Sequence, residues 1–164
     1  MRTLDLNILI REFVFEEMTD ADRQLLEQAK QATDNAYAKY SNFYVGAAAL
    51  LDDGSVVIGS NQENAAFPSG LCAERSAIFA AQSHYPTKSV NTLAIAARNE
   101  NGFLSNPISP CGACRQVMLE IEERYKHPVR ILLYGTSRVF EISPPCLSLS
   151  LSLTLSPSLS LFLS

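Results

Sequence analysis

Tyr44 to Leu51 is a nearly continuous apolar run that meets Asp52-Asp53-Gly54, after which Val56, Val57 and Ile58 resume. Acidic residues followed by glycine between two apolar runs turn the chain back on itself, so this stretch reads as a hairpin with a buried first strand. A buried strand needs cover, and the flanking segments supply it. Thr19 with Asp22 resembles a capping box, and Leu25, Leu26, Ala29, Ala32 and Ala36 recur at helical spacing, giving a helix for one face of the sheet. Leu71 to Gln82, rich in alanine and carrying Glu74 and Arg75, predicts a second helix, and Leu93 to Ala97 the next strand. Ser109 as N-cap and Pro110 as first helical residue open a third helix running to about Tyr125, followed by strands at Val129 to Tyr134 and Val139 to Ile142. Leu4, Leu6, Ile8, Ile10, Phe13 and Phe15 alternate loosely, as an edge or accessory strand does. The hairpin must be antiparallel, and the strand–helix alternation then predicts an α/β fold, a three-layer α-β-α sandwich around a mixed five-stranded sheet.

With 164 residues, 47% of them hydrophobic, the chain has material for one core. Its net charge of −4 leaves no electrostatic footprint for a phosphate backbone, so no nucleic-acid partner is expected. Asp5 and Asn7 interrupt what would have to be the apolar part of a signal peptide, and no stretch approaches the roughly 20 apolar residues of a membrane span. A cytoplasmic protein with no membrane partner is expected. Four cysteines are too few for a disulfide scaffold of this length, which fits a reducing compartment. The expected organisation is an N-terminal extension over 1–18, one domain over 19–142 and a tail over 143–164, where Leu alternates with Ser or Thr as a low-complexity sequence.

The chemistry concentrates in two short blocks. Cys111 and Cys114 form a C-x-x-C unit at the start of the third helix, where positions three apart are neighbours on one face. That spacing alone serves a redox pair as well as half of a zinc site. Cys72-Ala73-Glu74 opens the preceding helix, and Pro110 directly precedes the C-x-x-C, a combination that matches the pattern of zinc deaminases. Three thiolates leave zinc an open position for water, as catalytic rather than structural sites do, and neither His84, His127 nor Cys146 is well placed as a fourth ligand. Zinc with three thiolates is formally anionic, and two helix N-termini offset this; Arg75 is either a further donor to a thiolate or a solvated helix charge. Glu74 lies two residues from a ligand and can move protons without binding the metal itself.

These residues resemble the small cytidine deaminases that act on free nucleosides. The likeness runs from about residue 20 to 142 through Tyr40-Ser41-Asn42-Phe43-Tyr44-Val45-Gly46-Ala47, Asn61-Gln62-Glu63-Asn64, Cys72-Ala73-Glu74-Arg75 and Ser109-Pro110-Cys111-Gly112-Ala113-Cys114-Arg115-Gln116. The resemblance implies one zinc ion per chain on Cys72, Cys111 and Cys114, Glu74 as proton shuttle, Asn61 and Glu63 on the ribose, Phe43 against the pyrimidine, Ala73 as a further substrate contact and Arg75 behind the metal ligands. It also implies hydrolysis of cytidine and deoxycytidine to uridine and deoxyuridine in pyrimidine salvage, by a homotetramer. Relatives acting on nucleotides, tRNA or single-stranded DNA usually carry His-x-Glu where this chain has Cys72-Ala73-Glu74. Residues 143–164 replace the Leu-Leu-Pro segment whose Phe helps close an active site in the family. From that tail follows a second reading, a zinc-binding homologue with impaired catalysis. A third, a deaminase of another cytosine nucleoside such as a blasticidin-type antibiotic, rests on the shared Cys-Ala-Glu and Pro-Cys-x-x-Cys pieces, and the block Asn61 to Asn64 argues against it.

Overall fold

A computed structural model describes residues 9–143; Leu4, Leu6, Ile8 and the Leu/Ser-rich stretch with Cys146 lie outside the described residues. The order of elements is β1 (Ile10–Phe13), α1 (Asp20–Ala32), β2 (Tyr44–Leu51), β3 (Val56–Ser60), α2 (Ala73–His84), β4 (Val90–Asn99), β5 (Gly102–Phe103), α3 (Gly112–Tyr125), β6 (Arg130–Tyr134) and β7 (Val139–Ile142). The sheet order is β1-β7-β6-β4-β2-β3, with β5 paired to β4. The hairpin forms as expected, with Gly54 at φ 86 in the left-handed region and its amide bonded to Leu51 O. Every pairing is antiparallel except β4 with β6, which are joined through the α3 crossover that a parallel pair requires.

The sheet is mixed and sandwiched between helices, but it has seven strands rather than five. The two additions have separate causes. The expected accessory strand contracts to Ile10–Phe13 and pairs along β7, Ile10 opposite Ile142. β4 runs longer than its apolar centre because it is flanked by β2 and β6, and its end folds back through a turn at Asn99 to pair with Gly102 and Phe103.

Strand alternation divides the core. Ala48 of β2, Ala94 and Ala96 of β4 and Leu132 of β6 face Leu25, Leu26 and Ala29 of α1. Their neighbours Ala47, Ala49, Leu93, Ile95, Ile131 and Leu133 face Ala77, Ile78 and Ala81 of α2 and Cys114, Met118 and Ile121 of α3. Side chains as large as Ile78 and Met118 are wholly buried here, each contributing about 1.5–3 kcal/mol by leaving water.

Helix boundaries shift from the expected ones in ways that matter for the site. Thr19 caps α1, its hydroxyl accepting from the Asp22 amide at 3.2 Å, but the helix stops at Ala32 rather than reaching Ala36. There Thr33 donates to Lys30 O, and the chain leaves through the 3-10 turn Thr33–Asn35. α2 begins at Ala73 rather than Leu71, because Leu71 exchanges backbone hydrogen bonds of 2.9 Å with Gln62. α3 begins at Gly112, with Cys111 as its extended N-cap, so Ser109 and Pro110 belong to the loop before it.

Candidate active site

Both cysteine-bearing helices open at the same place. Cys72 is the N-cap of α2 and Cys111 the N-cap of α3, while Cys114 lies in the first turn of α3 and is wholly buried. Cys72 Sγ is 3.7 Å from Cys111 Sγ, Cys111 Sγ is 3.4 Å from Cys114 Sγ, and all three sulfurs fall within 4.8 Å of one another as free thiols. Thiolates held tetrahedrally about 2.3 Å from zinc sit roughly 3.8 Å apart, so the donor set and its spacing fit that ion. Among the described residues, this is the one cluster of three or more His, Cys, Asp or Glu side chains so arranged.

The surrounding charges suit a thiolate centre. Arg75 Nη2 donates to Cys72 Sγ at 3.6 Å and to Gly70 O at 3.5 Å, while its Nε is buried without a partner among the described residues. Arg75 thus stands partly buried against a sulfur. Hydrogen bonding from Cys114, then from Arg75 and Cys111, brings the Cys72 thiol down to about 5 against the cost of burial. Cys114 moves the other way, pushed up by its hydrogen bond to Cys72 and by burial. Glu74, in the first turn of α2, is 5% exposed, and burial raises its carboxyl pKa, with the neighbouring Cys72 adding to the rise.

A cleft of about 910 Å³ opens above the sulfurs. Cys72, Ala73, Glu74, Arg75 and Cys111 line it together with Phe43, Asn61 and Glu63. The residues singled out from the sequence thus come together, with Cys114 packed beneath. Asn61 and Glu63 are both held from behind. Asn61 Oδ1 accepts from Val45 N at 2.8 Å and its Nδ2 donates to Phe43 O at 2.9 Å. Glu63 Oε2 accepts from the Tyr40 amide at 2.7 Å and more weakly from Ser41 N at 3.4 Å, and bonds from Ser41 and Tyr40 hold its carboxyl below the usual range. Bridges from Gln62 to Tyr37 and to Leu71 tie this segment to the entry of α2.

Tyr40, Phe67, Leu71, Ile108 and Ser109 also line the cleft, although the sequence pointed to none of them as a substrate contact. Phe67 is 90% exposed and Tyr40 58%. Isolated aromatic residues in loops carry no periodicity, and only the folded arrangement places them at one rim.

The family model for the cytidine and deoxycytidylate deaminase zinc-binding region matches residues 19–127. The chain belongs to the cytidine and deoxycytidylate deaminase family. Its cofactor is zinc, and Cys72, Cys111 and Cys114 are the cluster able to hold it. Among relatives of this deaminase, a cytidine deaminase of Halalkalibacterium halodurans is 48% identical over 101 residues, 61% of this chain and 72% of that protein. One of Mycobacterium tuberculosis is 44% identical over 117 residues, 69% of this chain and 84% of that protein. The crystal structure of a cytidine deaminase from Burkholderia pseudomallei superposes with a TM-score of 0.66 at 39% identity, covering 79% of this chain and 96% of that one.

Proposed function

We propose that this deaminase hydrolyses cytidine and deoxycytidine to uridine and deoxyuridine with release of ammonia. The observation that carries the reading is the buried carboxyl of Glu74, its pKa raised, beside a three-thiol cluster at the base of a nucleoside-sized cleft. Zinc on Cys72, Cys111 and Cys114 would supply Lewis-acid activation of water. Glu74 takes a proton from the attacking water as its oxygen bonds to C4 of the pyrimidine, and passes that proton to N3. It takes the second proton of the same oxygen and gives it to the exocyclic nitrogen, so that the C4–N bond breaks, ammonia leaves and the C4 carbonyl forms. A carboxyl whose pKa is raised by burial both accepts and returns protons readily near neutral pH.

Asn61 and Glu63 offer an amide and a carboxylate to the sugar hydroxyls, and because backbone hydrogen bonds hold both, little side-chain freedom is lost on binding. Phe43 packs against the base, and Ala73, lining the cleft at the start of α2, is a further contact. The functional unit is residues 19–142, with 1–18 and 143–164 as additions. It acts as a homotetramer, which the exposed apolar rim of Tyr40, Phe67 and Leu71 supports. The cytoplasm is its compartment, since thiols serve as ligands only while reduced. No helix of the described residues is long and apolar enough to cross a membrane.

The deciding experiment follows cytidine conversion by ultraviolet absorbance before and after zinc chelation, with sedimentation to read the assembly. Conversion lost on chelation and restored by zinc is expected. A folded, zinc-loaded protein that converts no cytosine nucleoside would overturn the reading in favour of a non-catalytic zinc protein.

A further inference from the structure

Tyr40 to Val45 carries both anchors of the proposed sugar-binding pair, and one residue with no contact to the cleft separates them. Before it, the amides of Tyr40 and Ser41 hold Glu63 Oε2 at 2.7 and 3.4 Å. After it, Phe43 O and Val45 N hold the two ends of the Asn61 amide at 2.9 and 2.8 Å. The residue between is Asn42, with φ 53. Its amide donates to Ala38 O at 2.9 Å, closing the turn, and the Phe43 amide returns across it to Ser41 Oγ at 3.1 Å.

Asn42 and Lys126 are the non-glycine residues with positive φ among those described. Lys126 has the ordinary reason, since it is the left-handed stop of α3. Asn42 ends no helix. Its side chain is exposed, enters none of the bonds above and does not line the cleft, whereas Tyr40, Ser41 and Phe43 all do. What Asn42 supplies is therefore a backbone angle. The left-handed region crowds the Cβ of most residues, asparagine tolerates it better than others and glycine enters it freely. Were residue 42 to relax to negative φ, the chain would leave the turn in another direction. The Tyr40 amide and the Phe43 carbonyl then could not keep Glu63 and Asn61 together.

We propose that Asn42 is a positioning residue for the nucleoside, its left-handed backbone holding the Glu63 anchor and Phe43 in one register so that sugar and base are gripped together. The proposal rests on cytidine as substrate. It assigns to Asn42 an effect on binding and none on the proton transfers of Glu74 or on the metal cluster, which belong to other segments.

The test compares Asn42→Gly, Asn42→Ala and Asn42→Val in the full chain, well below their unfolding temperatures and at equal zinc content. Asn42→Val should raise KM for cytidine roughly tenfold with kcat within about twofold, Asn42→Ala should fall between, and Asn42→Gly should match the parent protein. Asn42→Ala carries the comparison if Asn42→Val does not fold. Amide NMR gives a readout independent of turnover. The Tyr40 amide, shifted downfield by Glu63, should keep its position in Asn42→Gly and lose it in the other two. An unchanged KM in both Asn42→Ala and Asn42→Val would overturn the proposal, as would an Asn42→Gly variant as impaired as they are. If the parent protein converts no cytidine, the function reading fails by itself, and the Tyr40 amide still decides whether Asn42 sets the anchor.

Discussion

Arg75 Nη2 reaches Cys72 Sγ at 3.6 Å from within the same first turn of α2, so the helix that presents a metal ligand also presents the cation that offsets its charge. Removing that donor leaves three thiolates with less compensation. Arg75→Gln should weaken zinc affinity about 10- to 100-fold, the usual cost of losing a group that supports a ligand. Competition with a chromogenic chelator measures it, and an affinity equal to that of the parent protein would reduce Arg75 to a surface charge.

Glu74→Gln keeps the size and burial of the side chain but cannot carry a proton. Turnover should fall by at least about 10²- to 10⁴-fold while stoichiometric zinc is retained. Turnover with metal analysis on the same sample checks both halves; near-normal rates would refute the assigned proton path.

Gly59 of β3 lies directly under α2. A Cβ there would come within 2.3 Å of Ala77 N and 2.7 Å of Ala73 O, backbone atoms that cannot rotate away. Gly59→Val should destabilise the fold by about 1–3 kcal/mol or more and push the first turn of α2 off the sheet, lowering zinc occupancy as well. Thermal unfolding with zinc stoichiometry reads both effects.

Arg130 gathers the far side of the sheet. It bonds Asp22 at 2.6 and 2.8 Å and Glu141 at 2.7 and 3.1 Å, and Arg11 adds a bond of 2.6 Å to Glu141. The Arg130 hydrogen bonds hold the Asp22 carboxyl below its ordinary range. Burial pushes Glu141 up, but bonds from Ser143, Arg130 and Arg11 outweigh it and leave its pKa lowered too. Carboxyls depressed in the folded state stabilise it above their unfolded values of about 4, and that contribution is lost as pH falls through the folded values. Arg130→Met should therefore cost about 3 kcal/mol near neutral pH, the lower end for breaking a buried pair because the guanidinium is partly exposed, and progressively less below about pH 4. Urea midpoints of both proteins across that range test the convergence.

The chemistry-bearing residues were legible because their types and spacing are local facts. Cys72-Ala73-Glu74 and Pro110-Cys111-Gly112-Ala113-Cys114 each occupy a helix start, and a helix start dictates where its first side chains stand. The hairpin at Asp52-Asp53-Gly54 was legible for the same reason. The start of α3 was not. Ser109-Pro110 is as good a local cap as Cys111, and what moved the boundary is the convergence of Cys111 with Cys72, a contact between distant segments. β5 carries too few residues for any pattern to show, and exists because β4 continues far enough to fold back on it.

Taken by itself, then, the sequence determined the layers, the cysteine cluster able to hold zinc and the glutamate placed beside it, since periodicity and short motifs are properties of neighbouring residues. Tertiary structure alone decided that Arg75 faces a sulfur, that Asn61 and Glu63 are braced from one turn, and that a left-handed Asn42 sits between their anchors. Each of these depends on where separate segments meet, and such meetings are set by the packing of the whole sheet against its helices rather than by any stretch of chain read alone.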